Sequence, residues 1–285
     1  MKNIRFKKYI PLLLLVLLLV LSYLATLMLD TTLHTRHYTI KDERICAPVR
    51  VVMLSDLHGT FYGQNQQELV STIDQLDPHA VFLVGDIFDE HHDFSAATAL
   101  LNQIAPRYPT YYVSGNHEYS TDFSAVKETL SAAGVICLWG ENQKITLNGQ
   151  EMLLGGVYDE CHYLYNATPQ GEHFTKQLRL MKEEKEEQYS DLFSILLCHR
   201  PEADILKNSG YNLIFSGHNH GGQVRIPGIL NGLFAPSQGF IPSYAGGLYT
   251  LNEQSTLIVG RGLVRNHAPR IFNPPEIVYV ELLPA

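Results

Sequence analysis

The chain has 285 residues, 45% of them hydrophobic, which is enough to bury a substantial core in one large or two small domains and too apolar for a disordered polymer. Its formal charge is −8, and past the four N-terminal cations Lys2, Arg5, Lys7 and Lys8 the remaining 17 Lys/Arg face 29 Asp/Glu, a net of −12. That balance argues against a binder of long nucleic acids, which needs a basic footprint to release counterions.

Residues 1–30 read as a unit apart. After the cationic tip, residues 10–29 are interrupted only by Pro11, Ser22, Tyr23 and Thr26 among Leu, Val, Ile, Ala and Met, and no charge appears before Asp30. About 20 residues at 1.5 Å each span a bilayer core, and the run is longer than a usual signal-peptide core. The reading is an uncleaved transmembrane anchor; the alternative, a cleavable signal, has only a poor small-residue site in residues 22–26. The positive-inside rule keeps the tip cytoplasmic and puts residues 31–285 on the extracytoplasmic side of the cell membrane. Residues 31–48 read as a linker and 49–285 as the domain it joins to the anchor.

Beyond Pro48 apolar runs alternate with helical periodicity. Val51 to Leu54 is an apolar run of the kind buried in a sheet, followed by a helix in residues 63–76 with Leu69, Val70, Ile73 and Leu76 on one face, then the run Ala80 to Val84. Residues 94–105 read as a second helix stopped by Pro106, and 110–114 as the next strand. Thr121 or Asp122 can cap a helix carrying Phe123, Val126 and Leu130, with Gly134 as its left-handed stop. Asn148-Gly149 marks a hairpin in residues 144–157. A charged helix in residues 173–188 precedes strands at 194–198 and 212–215, and residues 222–227, 256–259 and 277–282 look strand-like. The four cysteines, Cys46, Cys137, Cys161 and Cys198, make no compact disulfide framework, and Cys198 reads as a small core residue.

The ends of these strands carry the chemistry. The first leads into Asp56 and His58, the second into Asp86 and Asp89, the third into Asn116, His117 and Glu118, and the later ones into His199 and into His218 and His220. Each residue alone has an ordinary reading as turn former, cap or core histidine. Five strands delivering them to one edge is different, because buried carboxylates and imidazoles gathered there stay unpaired unless something cationic sits among them.

The ordered blocks Asp-x-His, Gly-Asp-x-x-Asp, Gly-Asn-His-Glu, a later His and Gly-His-x-His resemble the calcineurin-like metallophosphoesterase superfamily over about residues 49–285. The anchor, the Gly217-to-Pro227 segment and the Arg270-to-Glu276 tail resemble its bacterial membrane-anchored phosphohydrolase branch, with Asn219 at a non-ligand position where that branch usually has Thr. The resemblance implies an α/β fold, a four-layer α-β-β-α sandwich with two mixed β-sheets. It also implies two divalent metal ions, one held by Asp56, His58 and His220, the other by Asn116, His199 and His218, with Asp86 bridging. A nitrogen and oxygen shell without thiolate suits Mn, Fe or Zn, and such a pair can bind phosphate and acidify a bridging water. His117 resembles the family's proton donor to the leaving oxygen, with Asp89 orienting it. His91 and His92 lie in a polar loop that rims the site or is simply solvated, His267 carries no assigned role, and Arg225, Arg261, Arg265 and Arg270 are candidates for the substrate side.

The favoured expectation is an anchored phosphoesterase acting on a phosphorylated small molecule or lipid. Two alternatives stand beside it: a lipid-linked pyrophosphohydrolase of the UDP-diacylglucosamine-cleaving type, whose substrate lies on the other side of the membrane, and a non-catalytic scaffold, which would be expected to have lost ligands that this chain retains.

Overall fold

The computed structural model describes residues 3–162, 166, 172–236, 238–265 and 269–285; His267 lies outside the described residues. Helix α1 (Asn3–Met28) contains residues Tyr9–Met28, of mean hydropathy 2.7, long and apolar enough to cross a membrane and not buried by the rest of the protein.

In chain order the domain then builds β1 (His34–Asp42), β2 (Val49–Leu54), α2 (Gln67–Leu76), β3 (Ala80–Val84), α3 (Ser95–Ile104), β4 (Thr110–Val113), α4 (Phe123–Ala133), β5 (Ile136–Cys137), β6 (Glu141–Leu147) and β7 (Gln150–Gly156). It continues with α5 (Glu172–Gln188), β8 (Phe193–Leu197), α6 (Ala203–Leu206), β9 (Leu213–Ser216), β10 (Phe234–Ala235), β11 (Gly239–Phe240), β12 (Gly247–Thr250), β13 (Thr256–Val259) and β14 (Glu276–Pro284). One six-stranded sheet has the order β1-β14-β2-β3-β4-β5, the other β12-β13-β9-β8-β7-β6, and both mix parallel and antiparallel pairs. The apolar runs in these strands are explained by what covers them. In β2 and β3, Val51, Met53, Phe82 and Val84 point into a core shared with Leu154, Ile195, Phe215 and Ile258 of the second sheet. Their neighbours Val52, Leu54, Val81 and Leu83 point the other way, onto Leu69, Ile73, Leu100 and Val126 of helices α2, α3 and α4. The outer face of the second sheet packs Leu153, Leu196 and Ile214 against Phe174, Leu178 and Met181 of α5. Helix, sheet, sheet and helix are the four layers expected.

Local signals are realised where they have a steric basis. Asp122 caps α4 through the amides of Ser124 and Ala125, and Gly134 ends it at φ 78°. Asn148 and Gly149, both at positive φ, turn the β6–β7 hairpin. All four cysteines are free thiols, Cys198 buried.

Two expectations are corrected. Residues 31–48 are more than a linker: nine of them, His34 to Asp42, pair in parallel with β14. Their alternation is muted by charge, but Tyr38 and Ile40 pack on the core between the sheets, while polar neighbours face out as on a protected sheet edge. Residues 222–227 form no strand: Gly221 and Gly222 are left-handed, Pro227 follows, and only the isolated bridges Val224 to Ile271 and Ile226 to Leu230 remain.

Phe82 is fully buried between the sheets, its ring 5.7 Å from that of Phe215. Phe82→Ala is expected to cost about 3–5 kcal/mol, seen as a lower urea midpoint with an unchanged slope.

Candidate metal centre

Four strands stop two residues short of a candidate ligand: β2 at Leu54 before Asp56, β3 at Val84 before Asp86, β8 at Leu197 before His199, and β9 at Ser216 before His218. β4 ends three residues before Asn116. These strands run parallel within their own sheets, so the ligands meet where the carboxyl edges of both sheets converge. Five of the seven expected ligands, Asp56, His58, Asp86, His218 and His220, sit at positive φ between 44° and 69°. Such backbone costs on the order of 1–3 kcal/mol per residue and persists only where surrounding contacts impose it.

The imposing contacts are hydrogen bonds between strand-end loops. The Asp56 amide donates to the Gly85 carbonyl at 3.0 Å, the His58 amide to the Asp86 carbonyl at 3.2 Å, and the Gly217 amide to the His199 carbonyl at 2.9 Å. The two central carboxylates divide their oxygens. Asp56 Oδ1 accepts the His218 amide at 2.9 Å and lies 3.3 Å from His220 Nε2, while Oδ2 is buried without a hydrogen bond. Asp86 Oδ1 accepts the His117 amide at 2.9 Å, while Oδ2 lies 3.0 Å from His199 Nε2 and 3.6 Å from His58 Nε2. Glycine is needed around them: a Cβ on Gly115 would come within 2.3 Å of Asp86 Oδ1, and one on Gly85, itself at φ 76°, within 2.3 Å of His199 Nδ1.

The donor set fits a cation pair. Ligand atoms of Asp56, His58, Asp86 and His220 all lie within 4.8 Å of one another, and so do those of Asp86, His199 and His218, so the two groups share Asp86. Asn116 Oδ1 and His218 Nε2 are buried with no hydrogen-bond partner. The second nitrogens of two rings are held from behind, His58 Nδ1 by Asp89 at 2.8 Å and His199 Nδ1 by the Val84 carbonyl at 2.8 Å, which turns each Nε2 toward the centre. Burial alone would raise the Asp56 and Asp86 carboxyls, yet the histidines beside them hold both well below the usual carboxylate range. Burial opposes protonation of His199, but Asp86 outweighs it and pushes the ring up to about 10, so its surroundings favour positive charge.

The expected partner of His117 is corrected. His117 Nδ1 bonds Glu90 Oε2 at 2.7 Å and stands 4.0 Å from Asp89, whose Oδ2 instead holds His58. Asp89 also accepts the His91 amide, and its Oδ1 lies 3.0 Å from His92 Nδ1, so its position is set by its own loop. Glu118, the last residue of the Gly-Asn-His-Glu block, has a role that the sequence pattern does not reveal. Its buried carboxylate accepts the amides of Asp86, Ile87, Phe88 and Gly115 at 2.7–3.1 Å and fixes the loop that carries Asp86. Burial and the Asp86 charge push this group up, to about 7.

A cavity of ≈ 450 Å³ beside the centre is lined by His58, Gly59, Thr60, Phe61, His92 and Arg265. His92 therefore rims the site, whereas the His91 side chain is 65% exposed. Of the four arginines weighed for the substrate side, Arg265 is the one on this cavity, stacked 3.9 Å from the Tyr62 ring. Arg270 is buried and staples a loop through the carbonyls of Arg261, Val264 and Asn273.

A family model described as calcineurin-like phosphoesterase matches residues 49–222. The transmembrane protein with metallophosphoesterase domain of Bos taurus is 31% identical over 227 residues, 75% of this chain, and the chain spans about half, 48%, of that relative. Phosphodiesterase YaeI of Escherichia coli is 26% identical over 246 residues, covering 83% of each chain. Among solved structures, the NAD nucleotidase of Haemophilus influenzae shares the fold with a TM-score of 0.53 at 15% identity, over 76% of this chain and 51% of that one.

Glu118→Gln places an amide N–H₂ against backbone donors. It is expected to cost about 1–3 kcal/mol and to lower the bound metal per chain, read by elemental analysis after dialysis; full metal content at wild-type stability would remove Glu118 from this role.

Proposed function

Because the chain belongs to the calcineurin-like phosphoesterase family, we propose that it is a membrane-anchored, metal-dependent phosphoesterase that hydrolyses phosphomonoester or phosphodiester bonds on the extracytoplasmic side. The observation that carries this reading is the pair of buried donor groups sharing Asp86. On it Asp56, His58, Asp86 and His220 would hold one divalent ion, and Asp86, Asn116, His199 and His218 a second, with Mn, Fe or Zn suiting the donors. Bound there, the ions would screen the phosphoryl charge and acidify a water.

The side chains supply the rest. His117 is partly exposed and packs edge-on against His58 with ring centroids 4.6 Å apart. With Nδ1 held by Glu90, its Nε2 is the atom that gives a proton to the leaving oxygen; Glu90 is the positioning residue in place of Asp89. Asp89 acts one step back, orienting His58. Arg265 reaches the phosphate from the cavity side, where a guanidinium can pair two oxygens at once. The apolar helix α1 serves as the anchor, and residues 34–285 as the domain it carries. The scaffold reading gains no support from a site with its donors in place. A lipid-linked diphosphate remains the second substrate class, because the anchor would hold the site close to an amphiphile.

The test is hydrolysis of a chromogenic phosphodiester and its monoester by the full chain in detergent, after chelation and after adding Mn, Fe or Zn. Turnover should vanish on chelation and return with metal, and Asp86→Asn should abolish most of it while the protein stays folded. Wild-type rates in that variant would sink the shared-carboxylate assignment. His117→Asn is expected to lower kcat by about 10²–10⁴-fold, with a smaller loss when the leaving group is a good one. Glu90→Gln should reduce kcat more than Asp89→Asn does, whereas Asp89→Asn should cost metal affinity; the reverse order would restore Asp89 as the partner of His117.

A further inference from the structure

The direction of β1 locates the anchor. β1 runs parallel to β14 and β14 antiparallel to β2, so β1 begins at the edge where β2 ends and Asp56 and His58 leave the sheet. Residues 29–33 alone separate α1 from β1, a reach of at most about 18 Å, and β1 lies two strands, roughly 10 Å, from β2. The junction is tied down: the Phe272 amide donates to the Met28 carbonyl at 2.8 Å, and Asn273 Nδ2 to the carbonyl of His220 at 2.7 Å. With α1 in a bilayer, the edge bearing the metal centre is the edge next to the lipid headgroups.

At this junction lies a second cavity of ≈ 450 Å³, lined by Arg36, Arg225, Arg261, Ile229, Asn231 and Phe272. Its charges do not balance. Arg261 pairs with Glu276 at 2.5 Å, and Arg225 is held by the Gly221 carbonyl at 3.2 Å and the Asn231 side chain. Among the described residues Arg36 has no carboxylate partner. Three guanidiniums thus face one carboxylate, in a domain whose overall charge is strongly negative. Burial, and after it the Arg261 charge, hold the Arg225 guanidinium below its usual range, as expected of cations crowded together. On the lining Ile229 is 84% exposed, and on the neighbouring hairpin, tied by the Ile241 amide to the Leu233 carbonyl, Phe240 is 76% and Ile241 70% exposed. Arginines behind exposed aliphatic and aromatic side chains, beside a membrane-type helix, match the headgroup and acyl layers of a bilayer surface in charge and polarity.

We propose that this cavity binds the phosphate headgroup of an anionic membrane lipid, at a site separate from the metal centre, with Ile229, Phe240 and Ile241 entering the acyl boundary. The inference rests on the anchoring half of the reading above and not on hydrolysis. Holding a lipid here seats the domain on the membrane with its metal edge toward it.

The experiment uses the full chain in neutral-detergent micelles, stripped of metal by chelation so that the metal centre cannot hold phosphate. It is titrated with dihexanoyl phosphatidylglycerol, dihexanoyl phosphatidylcholine and inorganic phosphate, and the thermal unfolding midpoint is read. Phosphatidylglycerol should raise the midpoint saturably, at roughly tenfold lower concentration than either other ligand. Arg36→Gln, at an exposed position, should weaken that response about fivefold or more, and Ile229→Ser should weaken it as well. Equal responses to the two lipids, or an unchanged curve in Arg36→Gln, would overturn the proposal. Inorganic phosphate acting as well as phosphatidylglycerol would show a free-phosphate site and overturn the lipid assignment. Absence of esterase turnover with metal bound would leave this titration unaffected, so the two readings fail separately.

Discussion

Two carboxylates, each divided between architecture and chemistry, hold this molecule's site together. Asp56 Oδ1 takes an amide from the loop after β9 and also lies beside His220, whereas Asp86 takes an amide from the loop after β4 on Oδ1 and turns Oδ2 to His199 and His58. The Asp56 bond crosses between the sheets, as does that of His199 to the Val84 carbonyl, at one end of an interface that is otherwise an apolar core. The left-handed backbone there goes with amide bonds to neighbouring loops, which Asp56, His58, Asp86 and His218 each donate. Histidines backed by a carboxylate and a carbonyl complete the arrangement, and the apolar strands below provide a stiff base for it.

The residues gathered at the candidate centre could be picked from the sequence because the strands before them are largely apolar runs, so a charged or imidazole residue after them marks a strand end. Val51 to Leu54 before Asp56 and Ala80 to Val84 before Asp86 are the clearest cases. Less could be read from carboxylates that adjoin in sequence. Asp89 and Glu90 both precede a polar loop, and which of them reaches His58 and which His117 depends on how left-handed Asp86 turns that loop. Glu118 was hidden for a related reason: its partners are backbone amides, which no residue pattern records. β1 was missed because an edge strand exposes most of its side chains, and His34, Arg36 and His37 mask the Tyr38 and Ile40 alternation.

The family match ends at residue 222, but the fold does not. Beyond it come β12 and β13 of one sheet and β14 of the other, and the Arg270 staple holds the loop that follows β13. The parts outside the match also supply Arg265 at the cavity of the candidate metal centre and the whole lining of the arginine cavity near α1. The matched blocks thus sit on the earlier strands, and the later segments add Arg265 beside them and close both sheets.

The order of strands has a consequence for how the protein is made. β1 and β2 are synthesised early, yet they never touch as neighbours, because β14 is inserted between them. At roughly 5–20 residues per second, on the order of 10–50 s of translation separate β2 from the strand that will cover its edge. Through that interval β2, apolar but for Arg50, carries an open border. A nascent chain of this topology therefore has its greatest need of chaperone protection at one strand edge, and that need ends only when β14 closes the gap.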